Sequence, residues 1–196
     1  MPLNGFDHLA FLVLEGARWR FEEGPRASGH FTTIPSFASG RDGTWFVAST
    51  LESGGTRKPQ VWWRAPGLGW ESTTVTQARD AVMPWLQPAQ AGVAVTYYAS
   101  DGGRPAGALP PPVGQPAEPP AWSVRARVLP DGEEVRVAER IHLGGICTSG
   151  DGCSEADWML RDYFQTAVTK DGTLAIAYPR AVRGGVEVVA VVGVPA

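Results

Sequence analysis

The sequence predicts an all-β chain assembled from a repeated antiparallel unit, and three observations carry that prediction. Of its 196 residues, 43% are hydrophobic and only 19% charged, with 24 Gly and 17 Pro. That balance suits many short strands joined by tight turns. One grammar then recurs: a short apolar strand, a Gly-containing turn, a second apolar strand. It appears at 33–50 (TIPSFASGRDGTWFVAST), 81–100 (AVMPWLQPAQAGVAVTYYAS) and 162–179 (DYFQTAVTKDGTLAIAYP), with turn glycines Gly43, Gly92 and Gly172. Finally, a more polar pair follows the first two hairpins. Its alternation, as in VRARV at 124–128 and VRVAER at 135–140, is the period-2 signature of half-exposed strands. Four antiparallel strands with covered inner and wetter outer members make the blade of a β-propeller. The expected fold is therefore about three such blades. A row of short strands would equally suit a β-sandwich, but sandwiches do not repeat a four-strand unit.

Element by element, HLAFLVL (8–14) and ARWRFEE (17–23) flank Glu15-Gly16 and read as the outer pair of an earlier blade, spanning 6–23. The next blade covers 30–77, its outer pair PQVWWRA and GWESTTVT split by a Pro-Gly-Leu-Gly turn. The following blade covers 80–143 and carries a Pro-rich insertion, 101–121. A cysteine-bearing loop, 144–161, leads to the last blade, 162–194, where only GVEVVAVVG follows the hairpin. Helix is expected at most as one turn at Ser154–Leu160, for which Ser154 offers an N-cap. In an antiparallel blade the two long insertions leave from the same end, side by side, and that face is where a binding site is expected.

Charge and motif content exclude several function classes. The formal net charge is -3 and the seventeen Lys and Arg are scattered, so no basic stripe points to nucleic acid or an anionic surface. No apolar run reaches the ~18 residues of a membrane-spanning helix. The opening MPLNGFDHLAFLVL lacks a basic n-region and reads as a strand rather than a signal peptide. There is no phosphate-binding loop, nucleophile elbow or dinucleotide fingerprint, and no cofactor is expected. His8, His30 and His142 are dispersed, so no zinc site is expected. Asp151, Glu155 and Asp157 lack calcium-loop spacing and read as a solvated loop. Cys147 and Cys153 form either a local disulfide or two free thiols; the disulfide is the expectation and favours an oxidising compartment.

The segments MPWLQPAQAGVAVTYYAS, GGICTSGDGC and RDYFQTAVTKDGTLAIAYP together resemble the later blades of bacterial sialidase (neuraminidase)-like proteins. The resemblance covers most of 30–180. It implies a propeller of the sialidase type, six-bladed when complete, an extracellular or cell-surface location and a glycan ligand. In active members it implies exo-sialidase-type glycoside hydrolysis by an arginine cluster, a Tyr nucleophile with a Glu partner and an Asp acid/base. Here the outer turns carry no intact Ser-x-Asp-x-Gly-x-Thr-Trp box. SGRDGTW at 39–45 has similar letters with its Asp displaced, and Phe-Arg-Ile-Pro is absent. These departures favour a non-catalytic chain for carbohydrate or protein binding over a hydrolase.

The site expected from this reading has Arg161 pairing a ligand carboxylate, with Asp162 and Tyr163 as acid and hydroxyl groups. A structural ion pair and a strand-edge aromatic are the alternative. Tyr97, Tyr98 and Asp101 at the end of one hairpin, with Trp122 and Trp158 flanking the long loops, are the expected sugar contacts. Packing between blades explains the tyrosines equally well. The Tyr–Glu pair itself is not assignable from sequence. Three blades do not close a ring, so either a longer chain or a second copy is expected to complete it.

Overall fold

The computed structural model describes residues 6–90, 92–102, 119–146 and 164–194. Among them there is no helix, and the chain forms three antiparallel sheets, none of which closes on itself. The first holds β1 (Phe6–Glu15), β2 (Arg18–Phe31), β3 (Ser36–Ser39), β4 (Trp45–Ser53), β5 (Thr56–Arg64) and β6 (Glu71–Thr74). Strands β3 to β6 are a simple meander. The N-terminal hairpin, rather than standing apart, joins the edge of β4 beyond β3 through the pairs His30↔Glu52 and Phe31↔Leu51. The second sheet is the meander β7 (Asp80–Ala89), β8 (Gly92–Ser100), β9 (Ala121–Leu129), β10 (Val135–Leu143). The third is β11 (Gln165–Val168), β12 (Leu174–Val182), β13 (Gly185–Val194).

Each repeat glycine sits at the hairpin between the first two strands of its meander with positive φ: Gly43 and Gly172 within the turn, Gly92 as the first residue of β8 just after it. Two of these turns are built alike. In Gly40–Thr44 and Thr169–Thr173, the first residue's N–H donates to the carbonyl of the fifth (2.7 and 2.8 Å). The glycine N–H donates back to the first carbonyl (3.2 and 3.0 Å), and the Thr hydroxyl donates to the Asp carboxylate (2.8 and 3.1 Å). Asp42 is held below the usual carboxylate range first by the Thr44 N–H (3.0 Å) and then by the Thr44 hydroxyl, and Asp171 first by the Thr169 hydroxyl and then by that of Thr173. The shared letters Asp-Gly-Thr thus encode one turn, used twice. The middle turn differs. Gly92 has φ +122, and a Cβ there would sit 2.1 Å from the Leu129 carbonyl oxygen on β9.

Two cores alternate through the middle sheet. On β8, Val93, Val95, Tyr97 and Ala99 join a cluster with Ala38, Ala48 and Val61 of the first sheet. Ala94 and Tyr98 join a second cluster with Leu174, Ile176 and Tyr178 of the third. Successive strand residues point to opposite faces, so a strand covered on both sides is apolar along most of its length, and the Thr96 hydroxyl in its middle meets that of Thr166 on the third sheet at 2.7 Å. Between Val82 and Trp85 the pairing slips, and Met83 takes φ +58 in that bulge. Its N–H finds the Thr50 hydroxyl of the first sheet at 2.9 Å, so the bulge is satisfied across the interface.

Gly92→Ala should destabilise the fold by about 1–3 kcal/mol, because an L side chain at that φ is strained and meets immovable backbone. Urea denaturation measures it; a midpoint within error of the parent would contradict the geometry.

Candidate functional site

The roots of the two long insertions lie side by side. The Gly144 N–H donates to the Pro120 carbonyl at 3.0 Å, and the Trp122 indole N–H donates to the Gly144 carbonyl at 2.8 Å. Around them the second sheet carries two polar clusters, both facing the first sheet.

One is a buried ion pair. Arg57, at the start of β5, donates to both oxygens of Asp80, the first residue of β7, through Nε (3.1 Å) and Nη2 (2.5 Å). Both side chains are almost wholly enclosed. A third bond, from Nη1, goes to the Ile146 carbonyl at 2.8 Å, and the guanidinium lies 5.8 Å over the Trp122 ring. One side chain of the first sheet thereby touches β7, β9 and the segment leaving β10. The planar fork of Arg suits this bidentate grip. Beside it, the Lys58 ammonium donates to the Ala78 carbonyl; burial pushes its pKa down, partly offset by Asp80, Asp101 and Glu134.

The second cluster centres on Arg125, in the middle of β9. Its Nη1 donates to Glu134 Oε1 at 2.7 Å, its Nη2 to Asp101, and its Nε to the Ser123 hydroxyl at 3.1 Å. Arg136 reaches the same Asp101 oxygen at 2.8 Å. Glu134 also accepts the hydroxyls of Thr76 (2.5 Å) and Tyr97. Burial alone would raise the Glu134 pKa, but the bonds from Thr76, Tyr97 and Arg125 more than offset it, and the net shift is down. Tyr97 moves the other way: burial and the neighbouring carboxylate push its phenol well above the ordinary value.

This pairing bears on catalysis. A tyrosine nucleophile needs its proton drawn off by a partner basic enough to take it. Here the phenol is held protonated, the carboxylate is held ionised by three donors, and the Tyr97 ring is wholly enclosed. The Tyr97–Glu134–Arg125 group ties β8 and β9 to the turn before β10 and, through Thr76, to the β6–β7 linker.

The candidates expected from sequence are distributed as follows. Tyr97 and Tyr98, consecutive on β8, point into opposite cores and neither is exposed. Tyr98 packs edge-on against Phe164, centroids 5.0 Å apart. Trp122, expected to be open beside a long loop, is instead wholly buried: it is the second residue of β9, on the face toward the third sheet, under Arg57 and tied to Gly144. Asp101 is exposed, but both its contacts are to arginines of its own sheet. Arg161, Asp162, Tyr163, Trp158, Cys147 and Cys153 lie outside the described residues. Among the described residues no group of His, Cys, Asp and Glu side chains could hold a metal ion, and no helix is long and apolar enough to cross a membrane.

Sequence reasoning missed Arg57, Asp80, Arg125 and Glu134. The available signal was Arg125 and Arg127 within an otherwise buried strand, both on one face. Arg127 makes the same kind of tie, from Nε to the Gly132 carbonyl (2.8 Å) and Nη1 to the Val75 carbonyl (3.1 Å). No protein-family model, curated protein or solved structure matches this chain.

Asp80→Ala should cost about 3–5 kcal/mol, because Arg57 is left charged and enclosed without its carboxylate. The double variant Arg57→Met/Asp80→Leu should recover most of that loss in the same denaturation assay. Because the folded state depresses the Glu134 pKa below 4.5, the unfolded chain binds the extra proton. The stability Glu134 contributes is therefore present above that pH and disappears as pH falls through the folded value. Denaturation midpoints between pH 3 and 7 should fall less steeply on the acid side in Glu134→Gln than in the parent; parallel profiles would remove Glu134 from this role.

Proposed function

We propose that this chain is an arc of a sialidase-type β-propeller that works as a non-catalytic binding scaffold, with carbohydrate as its ligand class. The observation that carries the non-catalytic half is the closed state of the Tyr97–Glu134–Arg125 group. Its phenol is enclosed and held protonated, so it offers neither a nucleophile nor a surface for a sugar ring. The propeller half rests on successive antiparallel meanders, stacked face to face, with a positive-φ glycine at the first hairpin of each (Gly43, Gly92 and Gly172) and one shared turn at Gly43 and Gly172. Carbohydrate as the ligand, and an extracellular or cell-surface setting, come from the resemblance of 83–100, 144–153 and 161–179 to sialidase-like blades. The adjacent roots of the two insertions, at Pro120 and Gly144, support a single overhanging face as the binding surface.

Exo-sialidase hydrolysis is the second reading. Its one favourable observation is that Tyr, Glu and Arg do meet in this chain. Acting as a site, they would have to open by separating the β6–β7 linker at Thr76 from Glu134.

The purified chain should retain immobilised sialylated glycans while giving no turnover of a fluorogenic sialoside. Turnover that Tyr97→Phe abolishes would replace the scaffold with the hydrolase. Absence of retention on any glycan would remove carbohydrate as the ligand.

A further inference from the structure

Two apolar surfaces face away from the cores, one at each end of the stack. On the β1–β2 hairpin the directly paired residues Leu12↔Phe21 and Leu14↔Trp19 share one face. They are 70%, 64%, 53% and 67% exposed in that order. The hairpin's other face is engaged: Phe11 packs on Phe37, Trp45 and Trp70, with Phe11 and Trp70 stacked at 5.8 Å. Arg64 lies between the Trp45 and Trp70 rings and pairs with Glu22.

At the opposite end, the third sheet buries Leu174, Ile176 and Tyr178 against the second and turns its other face outward. The register sets Ala167 beside Ala175 beside Val192, and the exposed Gln165 beside Ala177 beside Ala190, with Val188 further along. No charged residue falls in these rows, and Val188 and Val192 are 74% and 69% exposed. An exposed, chargeless sheet face of this size marks an interaction surface. Its Ala/Val composition continues the series by which the first sheet packs on the second and the second on the third.

We infer that the outward face of the third sheet is covered by the Leu12/Leu14/Trp19/Phe21 face of the N-terminal hairpin from a second copy of this chain. Each copy then gives one hairpin and receives one, closing a two-fold pair of stacks. The two surfaces are matched in kind: small Ala and Val side chains make a flat bed, and large Leu, Trp and Phe side chains supply the volume to fill it. Together they offer on the order of 800 Å² per copy, taking ~150–250 Å² for each large aromatic and less for each aliphatic, which is what a specific stable interface buries on each partner. A two-fold axis between the copies makes the head-to-tail contact twice and closes the assembly; without that axis the same contact would grow into a fibre. Dimerisation needs the stacked arc proposed above but no carbohydrate. A dimer that binds no glycan would therefore refute only the ligand, and a monomer that binds glycan would refute only the dimer.

Light scattering after size exclusion should give twice the chain mass. Trp19→Asp or Val188→Asp should each weaken the dimer by roughly 1,000-fold, the loss of one hot-spot side chain at each of its two contacts, with an unchanged far-ultraviolet dichroism spectrum. Leu14→Asp serves in place of a Trp19 variant that does not fold. Mixing the two variants should restore dimers, because a mixed pair keeps one intact contact. A monomeric parent chain, a dimer indifferent to both substitutions, an open-ended fibre, or a monomer that binds lipid vesicles through Trp19 would each overturn the assignment.

Discussion

Everything in this molecule is referred to β8, which has no solvent face. A strand covered on both sides needs apolar residues along most of its length and a partner sheet on each face; β8 has both, and its buried Thr96 and Ser100 hydroxyls are hydrogen-bonded. Its odd residues bind the first sheet and its even residues the third. A change of one residue in its register would exchange the two cores, and Tyr97 would leave Glu134 for the space Tyr98 shares with Phe164. The order of the stack is therefore fixed by one strand.

Polar groups trapped between such sheets must find partners there, because water does not reach them. The chain solves this with arginines that reach across. Arg57 grips Asp80 and the Ile146 carbonyl, Arg127 caps the Val75 carbonyl, and Thr96 meets the Thr166 hydroxyl at 2.7 Å on the other side. These ties are directional where the apolar contacts are not, so they set the lateral alignment of one sheet on the next. The same enclosure sets the electrostatics of Tyr97, Glu134 and Arg125: the phenol is pushed up and the carboxylate down, so each is held in the protonation state that its neighbours bond to.

The ends of the stack carry the mirror image of this logic. The outer face of the first sheet is sealed by Phe11 and Phe31, the latter 5.2 Å from Trp62. The seal itself presents Leu12, Leu14, Trp19 and Phe21 outward, and the third sheet presents Val188 and Val192. Stacked sheets transmit the need for cover from one face to the next until something closes the series.

Read alone, the sequence determined the local structure. The period-2 runs set the strands, and Gly43, Gly92 and Gly172 set the first turns. The recurring Asp-Gly-Thr encodes a turn through hydroxyl and amide bonds that span only five residues. These features are legible because their causes lie within one hairpin. The sequence did not reveal which charged strand residues would meet. Arg57 and Asp80 are separated by 23 residues, Thr76 and Glu134 by 58, and only the stacking of sheets brings them within bonding distance. Nor did it reveal that Trp122, beside a long loop, would be roofed by an arginine from another sheet. Which aromatic is open to a ligand and which is packing depends on what lies above its face. That is decided by non-local contacts, and so by the tertiary structure alone.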